Sequence, residues 1–82
     1  MEEEIIKKVD PSIKDLGLHV SRVYTEVVEG VKNLNIEVDS DSVIDIDRIT
    51  EASKIINDVI DSINIPMDNY VLDVHSKEKG DN

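Results

Sequence analysis

The chain has 82 residues, no cysteine and a formal net charge of −10, from 19 acidic and 9 basic residues. This length allows one domain with a thin core, and the lack of cysteine excludes disulfides and thiolate chemistry. The charge disfavours DNA, RNA and anionic membranes as direct partners, because nucleic-acid affinity rests largely on Lys and Arg neutralising phosphates. The acidic start and the short apolar runs argue against a signal peptide and a membrane span, so we expect a cytoplasmic protein.

The first predicted element is a helix over residues 2–16. Its apolar residues recur at three- and four-residue spacing and form one stripe: Ile5, Ile6, Val9, Ile13 and Leu16. Gly17 suits the position just after a helix. Pro11 interrupts the pattern, so either the helix kinks there or Asp10 caps a second short helix.

Two strands are predicted next, over residues 18–28 and 31–38. In the second strand, apolar residues alternate with polar ones, as in a strand buried on one face: Leu34, Ile36 and Val38 against Asn33, Asn35 and Glu37. Glu29-Gly30 supplies the turn of a tight hairpin. A bulge is expected near Ser21 or Arg22, because the valines on either side of this point fall in opposite registers.

The second half of the chain predicts a turn-rich connection, a helix and a strand. The helix runs over residues 46–63 with Asp45 as its N-cap, and one face is apolar: Ile46, Ile49, Ala52, Ile56, Ile60 and Ile63. A loop over residues 64–69 leads to a strand over residues 70–75, in which Tyr70, Leu72 and Val74 share a face. Residues 1–75 therefore form the domain, and residues 76–82 are expected to be a disordered tail or the start of a linker to a second domain.

This order, α-β-β-α-β, predicts an α/β fold of the α+β two-layer sandwich type. Both helices need a sheet face to bury their apolar stripes, and a hairpin followed by a helical crossover gives a mixed sheet. We therefore expect two helices on one face of a three-stranded mixed sheet. One core should contain Ile5, Val9, Ile13, Leu34, Ile36, Ile56, Ile60, Leu72 and Val74.

An acidic cluster before the second helix does not match a calcium loop. An EF-hand beginning at Asp39 needs a ligand, a glycine and a glutamate at positions that hold Val43, Ile44 and Thr50. A turn followed by a helix cap explains these aspartates better. His19 and His75 fall on the polar sides of predicted strands and are expected to face solvent. No nucleophile motif or phosphate-binding glycine loop is present, so the sequence predicts no enzyme, no metal and no cofactor.

One segment suggests a different class of protein. Asp41-Ser42-Val43 is similar to the Asp-Ser-Leu motif of acyl carrier proteins, which bear phosphopantetheine on the serine, and residues 15–17 (DLG) resemble the segment that precedes it. In this chain the two pieces lie far apart, and the residues between them alternate like a hairpin. A carrier protein modified on Ser42 is therefore the alternative function.

Several ordered pieces over residues 5–76 resemble the N-terminal domain of the RimP family of ribosome maturation factors. Residues 9–17 (VDPSIKDLG) resemble its first helix, which has an interior proline and ends in Leu-Gly. Gly30 followed by residues 34–39 (LNIEVD) is similar to its glycine hairpin and the strand after it. Residues 46–54, which begin Ile-Asp and end Ser-Lys, resemble its second helix.

The last pieces of the resemblance are Ile65-Pro66 and residues 70–76 (YVLDVHS), which look like the family's proline loop and final strand. The family continues into a second, SH3-like domain through a Ser-Pro-Gly segment. Here residues 75–80 read HSKEKG instead.

The resemblance implies a non-catalytic assembly factor for the small (30S) ribosomal subunit, which binds a ribosomal protein or the immature subunit. Ribosomal proteins are strongly basic, so an acidic monomer is a suitable partner. The candidate partner-binding residues are the acidic ones at the hairpin tip and at the start of the second helix: Glu26, Glu29, Asp45, Asp47 and Glu51. Direct RNA contact is not expected, since the chain lacks the Gly-x-x-Gly loop of the KH modules that share this type of fold.

Overall fold

The computed structural model describes residues 2–42, 44–63, 65 and 69–77 and has the order α-β-β-α-β. Helix α1 (Glu2–Ile13) continues into a 3₁₀ turn (Lys14–Leu16), and strands β1 (His19–Val28) and β2 (Val31–Asp39) follow. Helix α2 (Ile46–Ser62) then leads to strand β3 (Tyr70–Ser76). The predicted fold class is confirmed, because two helices accompany a three-stranded mixed sheet.

Strand β2 is the centre of the sheet. It pairs antiparallel with β1, to which the hairpin connects it, and parallel with β3, which it reaches through α2. Leu34 and Ile36 therefore face the same side as their β3 partners Leu72 and Val74. The mixed sheet follows from the connections, since a two-residue turn reverses the chain and a helical crossover restores its direction.

The core lies between this side of the sheet and the two helices. Its fully buried residues come from β2 and from the apolar stripes of both helices: Leu34, Ile36, Val38, Ile5, Val9, Ile13, Ala52 and Ile56, with Ile60 almost fully buried. The predicted core is confirmed for seven of its nine residues. Leu72 and Val74 pack against it but stay half-buried, because β3 is an edge strand.

The predicted hairpin and bulge are both present. Glu29 and Gly30 have φ angles of 52° and 80°, and positive φ at both central residues is what a type I′ hairpin turn requires. The register of the β1–β2 pair shifts between Val20 and Arg22. At this bulge the Val20 N–H donates to the Asp10 carboxylate at 2.6 Å, which ties α1 to the sheet.

The continuity of α1 decides between the two interpretations of Pro11. Helix α1 runs through Pro11 to Ile13 as one element, so Asp10 does not cap a second helix. The apolar stripe of α1 is confirmed, with Ile6 and Leu16 packed at the margin of the core.

Ile46 was expected on the buried face of α2, and this expectation is wrong. Its side chain is 79% exposed. Ile46 is the first residue of the helix and lies about 80° around the axis from the middle of the stripe formed by Ala52, Ile56 and Ile60. It therefore points past the core.

Strand β3 ends at Ser76, one residue later than predicted. The Lys77 N–H then donates to the Val38 carbonyl at 2.7 Å. Residues 78–82, to which most of the predicted tail belongs, lie outside the described residues, as does most of the loop predicted over residues 64–69.

Gly17 and Arg48 form the junction between the two helices. Gly17 has a φ of 74° and follows the 3₁₀ turn. The Arg48 guanidinium donates to the Leu16 carbonyl through Nε, at 3.1 Å, and through Nη2. A Cβ at Gly17 would lie 2.8 Å from Arg48 Nη2, so the glycine leaves room for this contact.

We predict that Gly17→Ala lowers the free energy of unfolding more than Gly30→Ala does. Both substitutions force a side chain into the left-handed region, at about 1–2 kcal/mol. Nothing lies within 4 Å of a Cβ at Gly30, whereas at Gly17 the methyl group also displaces Arg48. Urea unfolding followed by circular dichroism measures both losses, and equal losses would show that the Arg48 contact contributes nothing.

Candidate interaction surface

The five acidic residues selected from the sequence are all exposed, but they form two groups and not one. Glu26 and Glu29 lie at the hairpin end of the sheet, whereas Asp45, Asp47 and Glu51 lie at the start of α2. The start of α2 adjoins the other end of the sheet, where it forms a shallow cleft with the last residues of β3. The two groups are thus separated by about the length of β2, which is about 26 Å at 3.3 Å per residue.

Two of the aspartates before α2 have structural partners. Asp45 is the N-cap as predicted, since its Oδ1 accepts the Arg48 N–H at 2.8 Å. Asp39 Oδ1 accepts the Ser40 N–H at 2.8 Å. These bonds confirm that the acidic cluster before α2 forms a turn and a helix cap. Among the described residues, no three His, Cys, Asp or Glu side chains are grouped so that they could hold a metal ion.

The surface that the sequence reasoning missed is the side of the sheet away from the helices, here called the outer face. The strand register aligns its side chains in three rows across β1, β2 and β3: Arg22, Glu37 and His75; Tyr24, Asn35 and Asp73; Glu26, Asn33 and Val71. In the sequence, β2 and β3 show this side as a simple alternation, whereas the bulge interrupts the alternation in β1. Only the register between strands identifies which of these residues are neighbours.

The first two rows are connected by contacts around Tyr24 and His75. The Arg22 guanidinium carbon lies 4.2 Å from the centre of the Tyr24 ring, and the Tyr24 and His75 rings meet edge to face at 6.3 Å. His75 Nε2 lies 3.8 Å from a Glu37 oxygen, and His75 Nδ1 lies 3.8 Å from an Asp73 oxygen.

These contacts partly cover the His75 ring. His75 lies on the side of the sheet away from the core, as expected, but its side chain is only 33% exposed, whereas His19 is exposed. A shallow depression of about 610 Å³ opens beside these residues, and its lining adds Ser21, Ser76 and Lys77.

Asn35 lies at the middle of the outer face, on the central strand and between Tyr24 and Asp73 in the register. It is only 4% exposed although it points away from the core. Its Nδ2 is buried and has no hydrogen-bond partner, and among the described residues no other side-chain nitrogen or oxygen is in this state. Buried donors without a partner are rare in folded proteins, and each one calls for an explanation.

The comparison with protein families finds that the model of the RimP N-terminal domain matches residues 8–77. The chain belongs to the RimP family. The match begins in α1 and extends past the end of β3, so it includes the sheet, α2 and both acidic groups. RimP proteins are non-catalytic ribosome maturation factors. A comparison with curated proteins finds no significant match.

Membership in the RimP family and the β1–β2 hairpin exclude the acyl carrier interpretation, which required helices in this part of the chain. Ser42 is exposed in the connection between β2 and α2, and the helix begins four residues later at Ile46. Its N–H donates to the Ser40 hydroxyl oxygen at 3.2 Å. Ser42 therefore lacks the position at a helix start that the carrier motif requires.

We predict that coenzyme A and a phosphopantetheinyl transferase leave the mass of this protein unchanged, because the transferase would find no carrier-type helix at Ser42. Intact-protein mass spectrometry measures the outcome, with a genuine carrier protein as positive control. A mass gain that disappears in Ser42→Ala would contradict the assignment.

Proposed function

We propose that this protein is a non-catalytic assembly factor for the small (30S) ribosomal subunit, which acts by binding a basic ribosomal protein or the immature subunit. The observation that supports it is the match of the RimP N-terminal domain to residues 8–77. Such a factor acts in the cytoplasm, where subunits mature. It needs no cofactor, and we propose that it acts as a monomer. Within the described residues, no helix is long and apolar enough to cross a membrane.

The net charge of −10 supports a basic protein as the partner. Opposite charges accelerate encounter and affect the association rate more than the dissociation rate. We propose that the acidic groups at the hairpin tip and at the start of α2 attract the partner in this way. Asp47 and Glu51 are suited to this role, because they are exposed and lie one turn apart on α2. Asp45 is also a helix cap, so it acts on the fold as well.

We predict that replacing Asp47 and Glu51 together by Lys slows association with 30S subunits about tenfold at low salt, because electrostatic steering changes on-rates by at least this factor. The dissociation rate should change little. The difference from the parent should shrink as salt rises, since charges more than about 8 Å apart are screened at physiological ionic strength. Biolayer interferometry on immobilised 30S subunits measures both rates.

The matched control replaces Asp58 and Asp61 by Lys. Both residues are exposed on the same helix, and the change in net charge is the same. Asp58 lies about 16 Å further along the helix axis than Asp47. This variant should associate faster than the Asp47 and Glu51 variant. Equal slowing in both would show that only the net charge matters and that the start of α2 has no special role. Unfolding curves check that each variant keeps its fold, with a change of no more than about 1 kcal/mol expected.

A further inference from the structure

We infer that the outer face, centred on Asn35, is the surface that contacts the partner, and that it receives a basic segment of a protein. This inference rests on the proposed function and adds the contact surface to it. The acidic groups at the two ends of the sheet then accelerate the encounter, and the outer face determines how long the complex lasts.

The outer face has an unpaired hydrogen-bond donor at its centre. Asn35 Nδ2 is buried without a partner at the centre of the outer face. Leaving a buried donor unpaired is unfavourable, whereas a hydrogen bond to it in a complex removes this penalty. The free protein therefore has a donor that favours binding of a group with an acceptor oxygen. A Leu of similar size at this position would avoid the penalty in the free protein but could not donate.

The charges around Asn35 favour an uncharged acceptor. The three rows of the outer face contain three carboxylates, those of Glu26, Glu37 and Asp73, and one arginine, Arg22, whose guanidinium lies over the Tyr24 ring. An acceptor with a full negative charge, such as a phosphate, would be repelled by these carboxylates. The uncharged carbonyl oxygen of a polypeptide avoids this repulsion. These charges favour a protein segment over RNA.

The residues around Asn35 suit a segment that is both basic and apolar. Glu37 and Asp73 each approach His75 only to 3.8 Å, so their oxygens can still accept hydrogen bonds from Lys or Arg side chains of a partner. Toward the hairpin end, the exposed side chains of Val28, Val31 and Val71 provide apolar contact. The outer face thus combines a central donor, flanking carboxylates and an apolar end, which matches a basic segment that also has apolar residues.

The test is Asn35→Leu in the full chain, with kinetics on immobilised 30S subunits and on the protein fraction extracted from them. We expect about five- to tenfold faster dissociation, the loss that corresponds to one hydrogen bond, with the association rate almost unchanged. Resistance to urea should be equal to or higher than that of the parent, because an unpaired donor has been removed. If Asn35 served only the folding of the protein, its replacement would not change the dissociation rate.

Asn57→Leu is the matched control, since it makes the same chemical change on an exposed residue of α2 and should bind like the parent. Asp73→Asn is a second variant that removes one outer-face charge from an exposed side chain, and it should also dissociate faster. If Asn35→Leu fails to fold, the dissociation rate of Asp73→Asn, compared with that of Asn57→Leu, tests the inference.

The outcomes separate this inference from the proposed function. A parent chain that shows no saturable binding to 30S subunits or their proteins overturns both. A parent that binds while both outer-face variants dissociate at the parent rate overturns the inference and leaves the proposed function standing. Binding to protein-free ribosomal RNA that is lost in Asn35→Leu, without binding to the protein fraction, would show that the occupant is RNA and would also overturn the inference.

Discussion

The alternation of side chains along β2 is the constraint on which the rest of the structure depends. Leu34, Ile36 and Val38 are fully buried beneath both helices. Because successive side chains of a strand point to opposite faces, Asn33, Asn35 and Glu37 must then face the other way. A slip of one residue would exchange the two sets, so the same pattern that forms the core also forms the outer face. The amide of Asn35 is buried at the centre of this polar surface, between Tyr24 and Asp73 of the flanking strands.

Two polar contacts between elements position the helices, and a third bond caps the second helix. The Asp10 carboxylate accepts the Val20 N–H at the bulge of β1, and the Arg48 guanidinium donates to the Leu16 carbonyl at the end of the first helix. Asp45 caps the helix that contains Arg48. A domain of this size buries only about 60% of the surface of its unfolded chain. Directional contacts of this kind therefore contribute more to fixing a single arrangement of helices and sheet than they would in a protein with a larger core.

Local patterns in the sequence were sufficient to predict the elements, the hairpin turn, the bulge and the cap, because each depends on residues close together in the chain. The same patterns failed at Ile46, whose side chain is exposed because the first residue of α2 lies about 80° around the helix axis from the middle of the buried stripe. They also gave no indication that Asn35 is buried or that His75 is partly covered. Those properties depend on the register of three strands, which places Tyr24 and Asp73 beside Asn35. The likeness to RimP, by contrast, rested on pieces distributed along the whole domain, and the family match confirmed it.

We propose above all that a basic partner binds the side of β2 that faces away from the helices. The most direct test is an NMR titration of the ¹⁵N-labelled chain with the basic small-subunit protein that it binds most tightly. We expect the Asn35 side-chain amide signals to move downfield as a new hydrogen bond forms. The backbone amides of Tyr24, Glu37 and Asp73 should move with them, while those on the exposed side of α1 remain in place. Large shifts confined to the first turns of α2, with the Asn35 side-chain signals unmoved, would contradict it.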